Sequence, residues 1–313
     1  MSYLNLLNEK FTVRRKPDEK KAFRDFVLSE MEKKGVLAKV ETTSDGKNDN
    51  IIVGDPEGAE LVFTAHYDTP AASLFPNIMI PRNQPLFWAY QFLPVIFMLG
   101  IGLSLSYLIG MVWLKDERAY MLTFLAIYYG LYFLMFRGFS NPKNYNDNTS
   151  GVATLLSIIE GLDEAELQKV AFIFFDNEEK GKKGSKAYFE DHKAIMEEKL
   201  LINFDCVGNG STVVFIAKEK AEARAEYGTL KACFEPAGGY TTEFYPMRGS
   251  ESNSDYKNFP HGIGCMACKR TKGGLLYTPN IHTPNDTEVR DENIQYITAG
   301  ILKFIRMENN EAD

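Results

Sequence analysis

Hydrophobic and polar positions along the chain form blocks that predict strands and helices in alternation. Continuous apolar runs, such as LVFTA (61–65), VAFIFF (170–175) and LLINF (200–204), are typical of strands buried on both faces. Between such runs lie segments with the 3.6-residue periodicity of amphipathic helices, including residues 17–34 and 293–307. The alternation predicts an α/β fold, with a mostly parallel central sheet and helices on both faces.

Two longer apolar stretches interrupt this alternation. Residues 86–114 contain no charged side chain, and after the turn 115–118 (KDER) a second uncharged stretch covers 119–136. As helices they would extend about 43 Å and about 27 Å, against a bilayer core of about 30 Å. We therefore expect an inserted two-helix apolar hairpin at residues 86–136 that crosses the membrane and contacts lipid. The alternative is a pair of helices that forms a subunit interface or a lid over a site.

The insertion divides a single discontinuous α/β domain, residues 1–85 and 137–313. The N-terminal segment has no apolar run of signal-peptide length, so export by that route is not expected. Arg82, Arg137 and Lys143 flank the ends of the hairpin, and positive flanks favour the cytoplasmic side. We expect a membrane-associated protein whose α/β domain is cytoplasmic, with a soluble cytoplasmic oligomer as the alternative.

Composition argues against nucleic-acid binding and gives little support to cysteine-based chemistry. The net charge of −7 gives no basic surface for nucleic acid. In a reducing compartment the cysteines are expected as free thiols. The single CxxC, Cys265 to Cys268, lies in an apparent strand and is weak evidence for zinc or redox chemistry.

Polar side chains collect where the predicted strands end. They are His66 and Asp68 after LVFTA, Asp176, Glu178 and Glu179 after VAFIFF, and Asp205 after LLINF. Asp147 precedes a predicted helix, and His282 lies in a loop before the last helix. Ligands bind at the carboxyl ends of strands in sheets of this kind. Nitrogen and carboxylate donors without thiolates suit Zn²⁺ and, less selectively, Mn²⁺ or Co²⁺.

Five motifs in this order resemble the co-catalytic dizinc aminopeptidases of the M28 family. They are HYD (66–68), NDNTSG (146–151), NEEKGKKGS (177–185), NFD (203–205) and IHTPNDT (281–287). The resemblance covers most of the chain outside the apolar insertion. It implies a zinc-exopeptidase fold, of the phosphorylase/hydrolase-like type, and an enzyme that removes the N-terminal residue of short peptides.

The resemblance also implies a role for individual residues of this sequence. Two zinc ions would be held by the ligands His66, Asp147, Glu179, Asp205 and His282. Asp147 would bridge the two ions, and Asp68 would orient His66. Glu178 would act as the general base on a water molecule activated by both ions.

Four further residues receive weaker expectations. Asp255, in NSDYKNF, and Tyr277 could line the substrate pocket, although Asp255 could also cap a turn. Asp286 could cap or orient the His282 loop. His192 is expected at the surface rather than at the metal site.

Two features depart from the family pattern: the long segment between Asp68 and Asp147, and the lack of an export signal. Two other functions therefore stay open at this point. One is a single-zinc aminoacyl cyclase or amide hydrolase on the same scaffold, and the other is a catalytically silent membrane receptor or scaffold. The sequence also leaves a homo-oligomer open.

Overall fold

A computed structural model describes residues 1–73, 75 and 77–311, without the side chains of residues 135–137 and 310–311. The side chains of Met135 and Phe136, at the end of the predicted hairpin, therefore lie outside the described part, as do the last two residues of the predicted α/β domain. The strands are β1 Ala38–Thr42, β2 Asp49–Val53, β3 Leu61–His66, β4 Asn77–Met79, β5 Val170–Phe175, β6 Leu200–Phe204, β7 Thr212–Ala217, β8 Thr241–Pro246, β9 Gly262–Arg270 and β10 Leu276–Ile281.

Helices occur before β1, after β10, and between β4 and β5, β5 and β6, and β7 and β8, so the predicted alternation holds for part of the chain. They are α1 Tyr3–Lys10, α2 Pro17–Lys34, α3 Gln84–Ser106, α4 Glu117–Arg137, α5 Gly151–Gly161, α6 Glu164–Gln168, α7 Lys183–Asp191, α8 Lys193–Met196, α9 Glu219–Glu222, α10 Ala225–Ala232 and α11 Asp291–Glu311.

The strands form one mixed sheet. Its path runs β1-β2-β5-β3-β6-β9-β10-β4, and β7 pairs with both β8 and β9. The centre, β5-β3-β6-β9, is parallel, whereas β1, β2, β4 and β10 pair antiparallel at the edges. The predicted α/β class is confirmed, with the refinement that parallel pairing is confined to the centre and to the β7–β8 pair.

Alternate residues of the central strands face two separate apolar cores, which explains why these strands are apolar throughout. On one face, Phe63 and Phe172 pack with side chains of α1, α2, α5 and α11. On the other face, Val62 and Ile173 pack with Tyr188 of α7 and with side chains of α8 and the turn 255–258. Helical layers therefore cover both faces of the sheet, as the apolar strand pattern requires.

The apolar insertion forms two helices that pack along each other. Helix α3 continues through a wider π-helical segment, Tyr107–Trp113, and α4 returns beside it. A Cβ atom added at Gly110 would lie 2.3 Å from Cα of Tyr120, so the two backbones approach closely there. Within the described residues one helix, Gln84–Trp113, is long and apolar enough to cross a membrane. The transmembrane hairpin therefore stays a prediction.

The stacked phenylalanines of the central strands provide a test of this core. Phe63 is fully buried and stacks on Phe172 of β5, with ring centroids 5.6 Å apart. Phe63→Ala removes this packing and leaves a cavity, so we expect it to lower the free energy of unfolding by about 3–5 kcal/mol. Urea unfolding in detergent would measure the change. As a control, Leu37→Ala, at a side chain 75% exposed, should stay within about 0.5 kcal/mol of the parent. Equal effects of the two substitutions would contradict the described core.

Candidate metal centre

Three neighbouring parallel strands bring most of the predicted site residues to one edge of the sheet. His66 is the last residue of β3, and Asp205 directly follows β6. Glu178 and Glu179 begin a short 3-10 turn, Glu178–Lys180, after β5. Because β5, β3 and β6 are adjacent and parallel, their carboxyl ends meet at this edge. The fold thus gathers side chains that are far apart in sequence.

The other two predicted ligands come from loops. Asp147 lies in the segment Tyr145–Ser150 that leads into α5, and its peptide bond to Asn148 is cis. The Asn148 side-chain amide donates to the carbonyl of Phe204 at 2.9 Å, which holds this segment against the end of β6. His282 directly follows β10.

The Asp147 carboxylate lies between the two predicted histidine ligands. Its Oδ1 is 3.3 Å from Nε2 of His66, and its Oδ2 is 3.0 Å from Nε2 of His282. Oδ1 of Asp205 lies 3.7 Å from the same His66 nitrogen, and Oε2 of Glu179 lies 3.3 Å from the His282 nitrogen. The five side chains form two groups of three that share Asp147, and the donor atoms of each group lie within 4.8 Å of one another.

The donor set fits zinc. Histidine nitrogens and carboxylate oxygens are usual zinc ligands. Nε2 of His66 and Oε1 of Glu179 are buried and have no hydrogen-bond partner among the described residues. A buried polar atom without a partner is costly, and a cation held by these groups would satisfy both atoms.

Asp68 connects His66 with the turn that carries the predicted base. Nδ1 of His66 lies 3.2 Å from the backbone carbonyl oxygen of Asp68 and 3.6 Å from its Oδ1, on the side of the ring opposite Asp147. The same carboxylate accepts hydrogen bonds from the backbone N–H of Glu178 at 2.9 Å and of Glu179 at 3.3 Å. Burial alone would raise the pKa of Asp68, but the neighbouring His66 imidazole and the charge of Lys20 outweigh it and lower this pKa. An ionised Asp68 thus positions one ligand together with the Glu178–Glu179 turn.

The two glutamates of this turn are held in a poorly hydrated environment. Desolvation by the surrounding protein raises the pKa of Glu178 well above its ordinary value. Desolvation also raises the pKa of Glu179 to about 8, against the opposing charge of His282. A raised pKa means that a carboxylate binds a proton more readily than it would in water, which is the property that a general base uses. A cation bound in the cavity would oppose both shifts.

Asp286 orients more than the His282 loop. Its Oδ2 accepts hydrogen bonds from the backbone N–H of Asp147 at 2.9 Å and of Asn146 at 3.2 Å. Its own N–H donates to the carbonyl of Thr283, one residue after His282, at 3.0 Å. Asp286 therefore ties the loop of one predicted ligand to the backbone of another.

Arg14 is a buried structural residue that the sequence motifs did not reveal. Its Nε donates to the carbonyl of Tyr67 at 2.5 Å, and Nη1 and Nη2 lie 3.2 Å from Oγ1 of Thr149. Burial lowers the pKa of this guanidinium to about 10, and the nearby negative charges of Asp68 and Asp147 oppose the shift. The arginine remains charged at neutral pH and links the His66 loop to the Asp147 segment.

A cavity of about 270 Å³ opens onto the candidate metal centre. One wall carries the acidic side chains, including Glu178, and His282. The lining also includes four residues that the motifs did not predict: Asn77 and Met79 of β4, and Phe87 and Gln91 of α3. The sequence contains one indication that this segment could reach the site, namely that the apolar insertion lies between His66 and Asp147.

The two predicted pocket residues lie elsewhere. Asp255 is fully buried, accepts a hydrogen bond from Oγ of Ser185, and has its pKa raised to about 7 by burial. Tyr277 is half-buried on β10, paired with Lys269 of β9. The described lining of the metal cavity includes neither residue. Their predicted contact with substrate stays a prediction.

Several solved structures share this fold. A Zn-dependent exopeptidase from Parabacteroides distasonis is 16% identical with a TM-score of 0.58, over 97% of this chain and 96% of that one. The LapA aminopeptidase of Legionella pneumophila is 13% identical with a TM-score of 0.57, over 97% and 67%. An Acidobacteriales glutaminyl cyclase is 15% identical with a TM-score of 0.56, over 99% and 93%.

These structural similarities show a fold like that of zinc exopeptidases, and they do not choose between a peptidase and a cyclase. No curated protein sequence matches the chain significantly. The family model described as "Peptidase family M28" matches residues 140–305, which is more than half of the chain and includes Asp147, Glu178, Glu179, Asp205 and His282. The chain therefore belongs to peptidase family M28.

Proposed function

We propose that this protein is a zinc-dependent aminopeptidase that hydrolyses the N-terminal peptide bond of short peptides. The observation that carries the proposal is the Asp147 carboxylate, whose two oxygens face His66 and His282 separately. A carboxylate shared in this way is suited to bridge two cations. One zinc ion would be held by His66, Asp147 and Asp205, and the other by Asp147, Glu179 and His282.

Bound zinc supplies Lewis acidity, which lowers the pKa of water and polarises the scissile carbonyl. Glu178 takes the proton from the attacking water as the new C–O bond forms. It returns this proton to the leaving nitrogen as the C–N bond breaks, so that a carboxylic acid and an amine are released. Asp68 holds the backbone of Glu178, and this contact keeps the base on the wall of the cavity.

The size of the cavity supports action at a chain end. About 270 Å³ is at the lower limit of ordinary ligand pockets. A free terminus fits such a space more readily than the middle of an extended chain. The substrate class we propose is accordingly a short peptide with a free N-terminus.

A single-zinc cyclase is the competing function, because a glutaminyl cyclase is among the proteins that share the fold. The second donor group, His66 with Asp205 and Asp147, favours two ions over one. A catalytically silent receptor is disfavoured because both predicted donor groups and Glu178 are present around one cavity.

We also propose that α3 and α4 insert into a membrane and that the catalytic domain is cytoplasmic. Large apolar side chains along both helices are exposed, among them Phe92, Ile96, Leu122 and Tyr129. Such a surface is unfavourable in water and suits lipid. Arg82 and Lys143 lie on either side of the insertion, near the ends that meet the domain, in agreement with a cytoplasmic side.

The role of Glu178 can be tested by Glu178→Gln, which preserves shape and removes the proton acceptor. We expect kcat to fall by about 10²–10⁴-fold on aminoacyl-p-nitroanilides, with the zinc content unchanged. Glu197→Gln, at an exposed position, serves as the matched control and should retain activity. Full activity of the Glu178→Gln variant would exclude Glu178 as the base.

The two-ion arrangement can be tested by metal analysis of purified protein. We expect two zinc ions per chain in the parent, one after His282→Ala, and loss of both after Asp147→Asn, because that carboxylate is shared. His192→Ala is the control, since His192 pairs with Glu41 away from the cavity and should keep the parent zinc content. One zinc ion in the parent, retained in an active cyclase, would support the competing function instead.

Membrane insertion can be tested by alkaline carbonate extraction of cell membranes. An integral hairpin should leave the protein in the membrane pellet, because carbonate releases peripherally bound proteins only. Ile96→Arg places a charge on the exposed face of α3 and should reduce insertion, at a cost of about 2.5–3.5 kcal/mol. Recovery of the parent protein in the carbonate supernatant would contradict the proposal.

A further inference from the structure

We propose that β4 and the first turns of α3 form the pocket for the N-terminal side chain of the substrate, and that this pocket selects apolar residues such as leucine. The inference rests on the proposed aminopeptidase function and names the substrate class of that site. It assigns a role in the chemistry to the inserted segment, which none of the five sequence motifs includes.

Residues of β4 and α3 line the same cavity as the proposed catalytic base. Met79, Phe87 and Gln91 share one cavity with Glu178 and the carboxylates of the candidate metal centre. A substrate whose scissile bond lies beside Glu178 therefore has its terminal residue within the same small space.

The wall is fixed relative to the predicted ligands. Strand β4 pairs with β10, with Asn77 opposite Ile281, the residue before His282. Nε2 of Gln91 donates to Oδ1 of Asn77 at 3.3 Å, which joins α3 to β4. The pocket wall and the His282 ligand are thus positioned by the same pair of strands.

The start of α3 is also fastened to the domain. The Asn83 side chain caps the helix by accepting from the N–H of Leu86 at 3.1 Å. Arg82 donates to Oγ of Ser250 at 2.8 Å, and Nε1 of Trp88 donates to Glu251 at 3.3 Å. These bonds hold Phe87, which is buried, in a fixed position against the cavity.

The chemistry of the wall determines what it accepts. Met79, Phe87 and Ile281 contribute apolar surface to the cavity. The amides of Asn77 and Gln91 are hydrogen-bonded to each other. Lys182 also lines it, and its Nζ donates to Oδ1 of Asn253 at 2.6 Å. An apolar substrate side chain gains by leaving water for this surface, whereas a charged side chain would lose its hydration there.

The test compares kcat/KM of full-length, zinc-loaded protein in detergent for leucyl-, alanyl- and glutamyl-p-nitroanilide. We expect the parent to prefer leucine. Phe87→Ala should lower kcat/KM for the leucyl substrate by about tenfold and change that for the alanyl substrate much less. Phe92→Ala is the matched control, because Phe92 lies on the same helix with 56% of its surface exposed, and it should keep the parent preference.

A binding measurement separates this inference from the proposed function. Calorimetry of the zinc-loaded parent should show tighter binding of L-leucine than of glycine, and Phe87→Ala should remove the difference. If no peptide substrate is cleaved but leucine binds more tightly than glycine and Phe87→Ala removes this preference, the aminopeptidase function is wrong and the pocket assignment is supported. If peptides are cleaved but Phe87→Ala lowers kcat/KM equally for all substrates, or for none, the pocket is overturned. Should Phe87→Ala not fold, Phe87→Leu and Met79→Ala carry the same comparison.

Discussion

Buried negative charge at the carboxyl ends of three parallel strands is the constraint on which the rest of this structure depends. Carboxylates removed from water must be matched by cations or by hydrogen-bond donors. His66 and His282 face Asp147, and Asp68 accepts backbone N–H groups from the Glu178–Glu179 turn. Two buried atoms without a hydrogen-bond partner among the described residues, Nε2 of His66 and Oε1 of Glu179, belong to predicted zinc ligands. Zinc would therefore supply the positive charge that these buried carboxylates still require.

The same constraint accounts for buried basic groups away from the proposed ligands. Lys20, from α2, lies 2.5 Å from Asp176 at the end of β5, and both side chains are largely buried. Arg14 places its guanidinium between the His66 loop and the Asp147 segment. The N-terminal part of the chain, which supplies no predicted ligand, thus contributes positive charge that stabilises the site.

The sequence predicted those features that are encoded locally. Apolar runs predicted the central strands, and short motifs predicted the histidine and carboxylate side chains that the fold brings together. The antiparallel pairing of β2 with β5 and of β4 with β10 was not predictable, because these strands are far apart in sequence. The contacts of Arg14 with Thr149 and of Asp286 with the Asp147 backbone also join distant segments and have no periodicity. Phe87 was missed for another reason: within an apolar stretch, nothing distinguishes a cavity-lining phenylalanine from a lipid-facing one.

Helix α3 begins at the cavity with Phe87 and continues through exposed apolar residues to Trp113. With the substrate pocket and membrane insertion both proposed for this helix, one continuous segment determines substrate preference and localisation together. The segment is then separable from the central sheet, since β3 pairs with β5 and β6 and not with the segment. A relative with a different segment between His66 and Asp147 would differ in both substrate preference and membrane localisation.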